Sequence, residues 1–187
     1  MKKKFVFLLF SFACLLLQAQ TKINGLAFPD TYAAGKDKVV LNGGGTRVKY
    51  WMDMYVGALY LTEKSKDGPA VVTGSASMAI RMCIVSGLIT SDKMMSAVKE
   101  GFEKSTGGKQ AAFKDKIALF QKAFSEEIKK GDVFDIVYTA ETISILKNSV
   151  VKAEIPGLDF KKAVFGIWLG ADPADEDLKE GMLGIAD

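Results

Sequence analysis

Leu41-Asn42-Gly43-Gly44-Gly45-Thr46-Arg47-Val48-Lys49, running on through Trp51, Met54 and Tyr55 to Leu59-Tyr60-Leu61, is the stretch that decides the fold. Three consecutive glycines ahead of it look at first like a phosphate loop. Such loops lead into a helix, and a Walker loop also carries a Lys-Ser/Thr pair. Here a strand follows. Residues 46–61 place Trp51, Tyr55, Leu59 and Leu61 on one parity, and Met52, Met54, Val56, Ala58 and Tyr60 on the other. Apolar side chains on both parities mark a strand buried on both faces. The glycines then read as a kink or bulge in a bent strand, preceded by a short β-branched piece at 38–41.

The period stays at two just downstream, where Met78, Ile80, Met82 and Ile84 alternate with Ala79, Arg81, Cys83 and Val85. It then changes. Ser91 can cap a helix whose stripe is Met94, Met95, Val98 and Phe102, broken by Gly107-Gly108. Phe113, Ile117, Phe120, Phe124 and Ile128 predict a second helix ending at Gly131, after Lys129-Lys130. Strands return at 133–139, 142–146 and 150–155, with Lys147-Asn148-Ser149 as a hairpin turn and Pro156-Gly157 as a stop. A helix with Phe160, Val164, Ile167 and Trp168 runs to Gly170. A last one is capped by Asp172, with Pro173 first and Leu178, Met182 and Leu183 on its apolar side. Strands, two helices, strands, two helices: segregated runs predict an antiparallel α+β domain, not a doubly wound one.

The N-terminus predicts a removable leader. Lys2-Lys3-Lys4, an apolar run at 5–17 and Gln18-Ala19-Gln20 follow the order of a secretory signal peptide, and the run is too short to span a bilayer. Residues 1–20 are therefore read as the leader and 21–187 as one exported domain, periplasmic or secreted, with no stable membrane span after processing. Cys14 sits in a poor lipobox, since Ser11-Phe12-Ala13 precedes it and leucines follow. Three of the 25 basic residues lie in the leader, which leaves 22 against 22 acidic ones. A neutral domain has no electrostatic reason to seek nucleic acid. Cys83 is the one cysteine outside the leader, so no intrachain disulfide is expected.

The chain has no histidine. That excludes Ser-His-Asp and Cys-His activation, histidine general bases and histidine metal sites. Asp172, Asp175, Glu176 and Asp177 lack the glycine and terminal glutamate of an EF-hand and are explained by a negative first helical turn. Lys129-Lys130 and Lys161-Lys162 read as solvated helix faces. No metal and no cofactor is expected. Arg47 stands apart, in mid-strand among Trp, Tyr and Met. Three readings fit: it binds an anion, it pairs with an internal acid such as Asp53, or it reaches solvent at a strand end.

Two segments carry a resemblance. The first, residues 41–61, resembles the glycine-rich, arginine-containing strand pair of chalcone isomerase-like proteins, with their VYVAALYL-type continuation. The second, Val164-Phe165-Gly166-Ile167-Trp168-Leu169-Gly170 followed by Pro173, Asp175-Glu176-Asp177-Leu178-Lys179 and Met182-Leu183-Gly184, is similar to the C-terminal signature of the family's bacterial branch. The resemblance covers nearly all of the chain after the leader. It implies an open-faced β-sandwich, a large antiparallel sheet covered on one face by helices with a ligand cleft between them.

The resemblance also carries site expectations. In plant chalcone isomerases an arginine on the glycine-rich strand steers the substrate. A threonine and a tyrosine polarise the ketone through water, and an asparagine and a C-terminal polar residue complete the site. Arg47 matches the arginine. Tyr55 falls at the threonine position, as in the family's non-catalytic fatty-acid-binding members, where an arginine and a tyrosine hold the carboxylate. Thr90 falls near the tyrosine position, Ala97 near the asparagine and Asp175 near the last. Asp53 replaces a frequent lysine and brings a counter-charge towards Arg47.

Ring closure needs a held phenolate and a polarised ketone, and most of that set is replaced here. The implied function is a binding protein for fatty acids or similar amphipathic carboxylates. Arg47 and Tyr55 would be its ligand-binding residues, with the tail between the sheet and the helix at 113–128. The alternative is a chalcone isomerase-type intramolecular lyase acting on a flavonoid-like substrate, with Arg47, Tyr55 and Thr90 as the catalytic candidates. A third reading is a partner-binding domain with a filled cleft.

Overall fold

The computed structural model describes residues 19–186, so the predicted leader lies almost wholly outside them. The chain opens with a hairpin, β1 (Gln20–Ile23) and β2 (Leu26–Pro29), turned by Asn24-Gly25 with both residues at positive φ. β3 (Thr31–Ala34), β4 (Asp37–Lys49), β5 (Met52–Leu61), β6 (Met78–Ile84), β7 (Val133–Thr139), β8 (Thr142–Lys147) and β9 (Val150–Pro156) form one seven-stranded sheet in that order. Every pairing is antiparallel. The predicted α+β class and sheet-plus-helices architecture are what the structure has.

The run at 46–61 is not one strand. It is the end of β4, a two-residue turn at Tyr50-Trp51, and β5. The glycines interrupt nothing: β4 passes through them with a bulge between Leu41 and Gly43. Their reason is close approach from both sides. A Cβ on Gly43 would lie 2.3 Å from the Gly181 carbonyl oxygen, and one on Gly44 would lie 2.5 Å from Ile23 Cδ1. The last helix presses on one face of the strand and the opening hairpin on the other.

Among the described residues five α-helices accompany the sheet. α1 (Gly68–Thr73) starts on an Asp67 cap with Pro69 in its first turn, signals that the pattern reading passed over. α2 (Ser91–Ser105) is capped by Thr90, not Ser91; the Thr90 hydroxyl accepts from Lys93 N–H at 3.3 Å. α3 (Lys114–Lys122) follows a 3₁₀ turn at Gln110–Phe113 and stops well short of Gly131. The Ser125 hydroxyl donates to the Lys122 carbonyl and the last turn tightens to 3₁₀ bonds, yet Phe124 and Ile128 stay buried beyond the helix end. α4 (Leu158–Leu169) ends at Gly170 as predicted. α5 (Glu176–Leu183) is capped by Asp175, whose carboxylate accepts from Leu178 N–H at 2.9 Å, so Asp172 and Pro173 lie before it.

Two cores hold these layers. On the helix face, Leu59, Ile80, Phe134, Ile136 and Ile145 meet Phe102, Phe120, Phe160 and Trp168. The Phe102 and Phe160 rings stack at 5.5 Å, and Phe120 meets Phe102 edge-on at 5.4 Å. On the other face, Val39, Val56, Tyr60 and Ala79 pack under the β1–β2 hairpin.

Lys161 corrects the solvated-face expectation. Its side chain is 0% exposed, and Nζ donates to the carbonyls of Val71, Val72 and Gly74 at 2.6–2.9 Å. It clamps the C-terminal end of α1 onto α4. Among the described residues no helix is long and apolar enough to cross a membrane.

Candidate functional site

A cleft of about 470 Å³ opens between the β4–β5 end of the sheet and α2, with α4 behind it. Its walls are mostly apolar: Met54, Met82, Ile89, Met94, Val98 and Ile167. Four methionines, Met52 included, make the lining adaptable, because thioether side chains refill irregular gaps. α3 contributes nothing to the lining. The expected tail site against 113–128 is therefore moved. The phenylalanines of that segment are packed into the core with Phe102, Phe134 and Phe160, and the free space lies under α2.

Arg47 and Tyr55 sit together in this cleft. They are register partners across β4 and β5, and the Arg47 guanidinium carbon lies 6.0 Å from the Tyr55 ring centroid. Among the described residues Arg47 forms no salt bridge. The chain's other arginine behaves differently: Arg81, on the opposite face, holds Asp135 through two bonds of 2.7 and 3.0 Å. Asp53 does not neutralise Arg47. Its carboxylate accepts from Asn24 Nδ2 at 3.1 Å. Asp175 is likewise engaged, accepting from Val48 N–H at 3.3 Å as well as from Leu178.

Tyr55 is buried, and its oxygen accepts from the Trp168 indole N–H at 2.9 Å. With that lone pair taken by a donor, the hydroxyl hydrogen points the other way and is free to be donated. Burial raises the phenol above its ordinary value, against lowering by Arg47 and by the Trp168 bond, with Asp175 adding to the rise. Tyr55 therefore stays a neutral donor at neutral pH.

The other expected positions divide. Ala97 lines the cleft and brings no polar atom. Thr90 caps α2 and is not among the lining residues, so the structure does not bring it together with Arg47 and Tyr55 in the cleft. Asp175 fixes the start of α5 beside β4. Trp168 as the partner of Tyr55 is the residue the sequence reading missed. Its spacing marks only an apolar helix position, although a buried indole requires an acceptor.

An antiparallel sheet with helices over one face thus encloses a cleft of apolar walls and one arginine–tyrosine pair. The chain belongs to the chalcone isomerase-like family, whose model matches residues 20–184. Among solved structures it is similar to the fatty-acid binding protein AtFAP1 of Arabidopsis thaliana. The TM-score is 0.68 at 16% identity, over 85% of this chain and 92% of that one. By sequence, no curated protein matches the chain.

Proposed function

We propose that this protein is a binding protein for long-chain fatty acids or similar amphipathic carboxylates, and that it does not turn its ligand over. The carrying observation is Arg47 without an acid partner, beside a buried Tyr55 whose oxygen is already held by Trp168. A guanidinium fork and a phenol hydrogen together match the two oxygens of a carboxylate. The tail would lie along Met54, Met82, Met94 and Val98 under α2. A cavity of this size and polarity suits one such ligand. That the Arabidopsis neighbour is a fatty-acid binding protein agrees with this reading, while its identity of 16% supports the fold alone.

Ala97 brings no polar atom to the cleft and Thr90 lies outside its lining, which favours binding over ring closure. Export is part of the proposal and rests on the leader at 1–20. Titration of residues 21–187 with palmitate by calorimetry tests the function. Saturable binding at one site is expected. No binding, or flavanone formation well above the spontaneous rate, would overturn it.

A further inference from the structure

The tip of the β4–β5 hairpin is the least protein-like surface on the molecule. Trp51 is 97% exposed and Tyr50 71%, and Val48, Met52 and Leu88 are exposed beside them. Tyr50 and Trp51 form the two-residue turn at φ 54° and 59°, the left-handed region that bulky side chains avoid. The β1–β2 and β8–β9 turns put Asn24-Gly25 and Asn148-Ser149 at such angles, and the β7–β8 turn puts Ala140-Glu141 there, so Tyr50-Trp51 is the one of these turns built from large aromatics. Two large aromatics here lie at an unfavourable backbone position and in water, so packing does not account for them.

The tip is also the mouth of the cleft. Lys49, Tyr50, Met52 and Leu88 line it, and Arg47 lies just inside. Lys49 Nζ stands 5.5 Å from the Tyr50 ring centroid, which places a cation directly behind the aromatics. Asp53 of the same hairpin is held by Asn24. Tryptophan and tyrosine backed by lysine are the side chains that settle at the headgroup level of a bilayer, with rings in the acyl boundary and the ammonium among phosphates. We infer that Tyr50 and Trp51 dock the open cleft onto a phospholipid surface, so that an amphipathic ligand passes between bilayer and cleft without crossing water. The inference rests on the ligand class proposed above, because only a ligand that partitions into membranes needs such a mouth.

Trp51 reports the docking itself. The chain has two tryptophans, and Trp168 is buried at 5% exposure against the cleft, so Trp51→Ser isolates its contribution. Adding vesicles of phosphatidylethanolamine and phosphatidylglycerol to ligand-free protein should shift Trp51 emission to the blue. Brominated acyl chains should quench the Trp51 part of the emission. Trp51→Ser should lose both effects and weaken vesicle partitioning at least about tenfold, the scale of one large apolar side chain. It should bind palmitate in solution within about twofold of wild type, because Trp51 does not line the cleft. An unchanged wild-type spectrum with vesicles would overturn the docking while leaving ligand binding intact. A blue shift that grows with protein concentration before vesicles are added would also overturn it, assigning the tip to a second copy of the chain. Vesicle insertion without palmitate binding would instead remove the ligand reading.

Discussion

Replacing Lys161 by methionine keeps the length of the stem and removes only the ammonium. The structure indicates what that should do. Nζ bonds to three carbonyls, those of Val71, Val72 and Gly74, at the C-terminal end of α1, where carbonyls lack partners within the helix. A hydrogen bond from a charged donor contributes about 1.5–3 kcal/mol, and part of that sum is offset by desolvating the ammonium. Lys161→Met should therefore destabilise the fold by about 2–4 kcal/mol in urea unfolding followed by circular dichroism at pH 7.

The pH dependence is a second signature. Burial, with Lys162 adding to it, pushes the Lys161 ammonium down to about 8 from 10.5. Between those values the unfolded chain holds the proton more often than the folded one. Wild-type stability relative to Lys161→Met should thus be flat below pH 8 and rise from about pH 8 to 10.5. The rise should be at most about 3.5 kcal/mol, at about 1.4 kcal/mol per unit. A variant within about 0.5 kcal/mol of wild type, with parallel pH profiles, would refute the clamp.

Further expectations follow from the layers. A Cβ on Gly181 would lie 2.7 Å from the Gly44 carbonyl oxygen and 3.2 Å from Gly45 Cα, backbone that cannot give, so Gly181→Ala should cost about 1–3 kcal/mol. Gly87→Ala, with nothing within 4 Å, should stay within about 0.5 kcal/mol, both variants being read by the same urea unfolding. Cys83 shares the sheet face of Arg81 and not that of the cleft, and burial raises its thiol against lowering by Arg81, with Asp135 adding to the rise. Cys83→Ala should leave palmitate binding within about twofold, and complete loss without unfolding would contradict this. Protein recovered from the native host should lack about 19 or 20 N-terminal residues by intact mass. Retention of Met1 to Gln20 would sink the export reading, and lipid on Cys14 would replace it.

Much of this fold was legible because period alone separates the layers. The double-faced apolar run at β5, the alternation of β6 and the stripe of α4 each have one regular solution. The misses have physical causes. β1, β2 and β3 are four residues each, too short for alternation to register. The spacing at 113–128 continued past the end of α3 because Phe124 and Ile128 pack on the sheet without being helical. Lys161 passed for a surface residue because sequence pattern does not show that three carbonyls await its ammonium.

At the site, Arg47 and Tyr55 were legible through the glycine-rich motif. Their pairing with Trp168 depends on how α4 meets β5, a contact across 113 residues of sequence that no local pattern encodes. The same holds for the cleft, whose place under α2 follows from the phenylalanine cluster filling the space beside α3.

Calorimetric binding of a long-chain fatty acid and its matching alcohol to wild type, Arg47→Ala and Tyr55→Phe tests the head-group assignment most directly. Arg47→Ala should weaken acid binding by about 2–4 kcal/mol, and Tyr55→Phe by about 0.5–1.5 kcal/mol. Wild type should prefer the acid, and Arg47→Ala should bind acid and alcohol nearly alike while remaining folded. Equal binding of acid and alcohol by wild type, or a preference for the acid that survives in Arg47→Ala, would contradict the account.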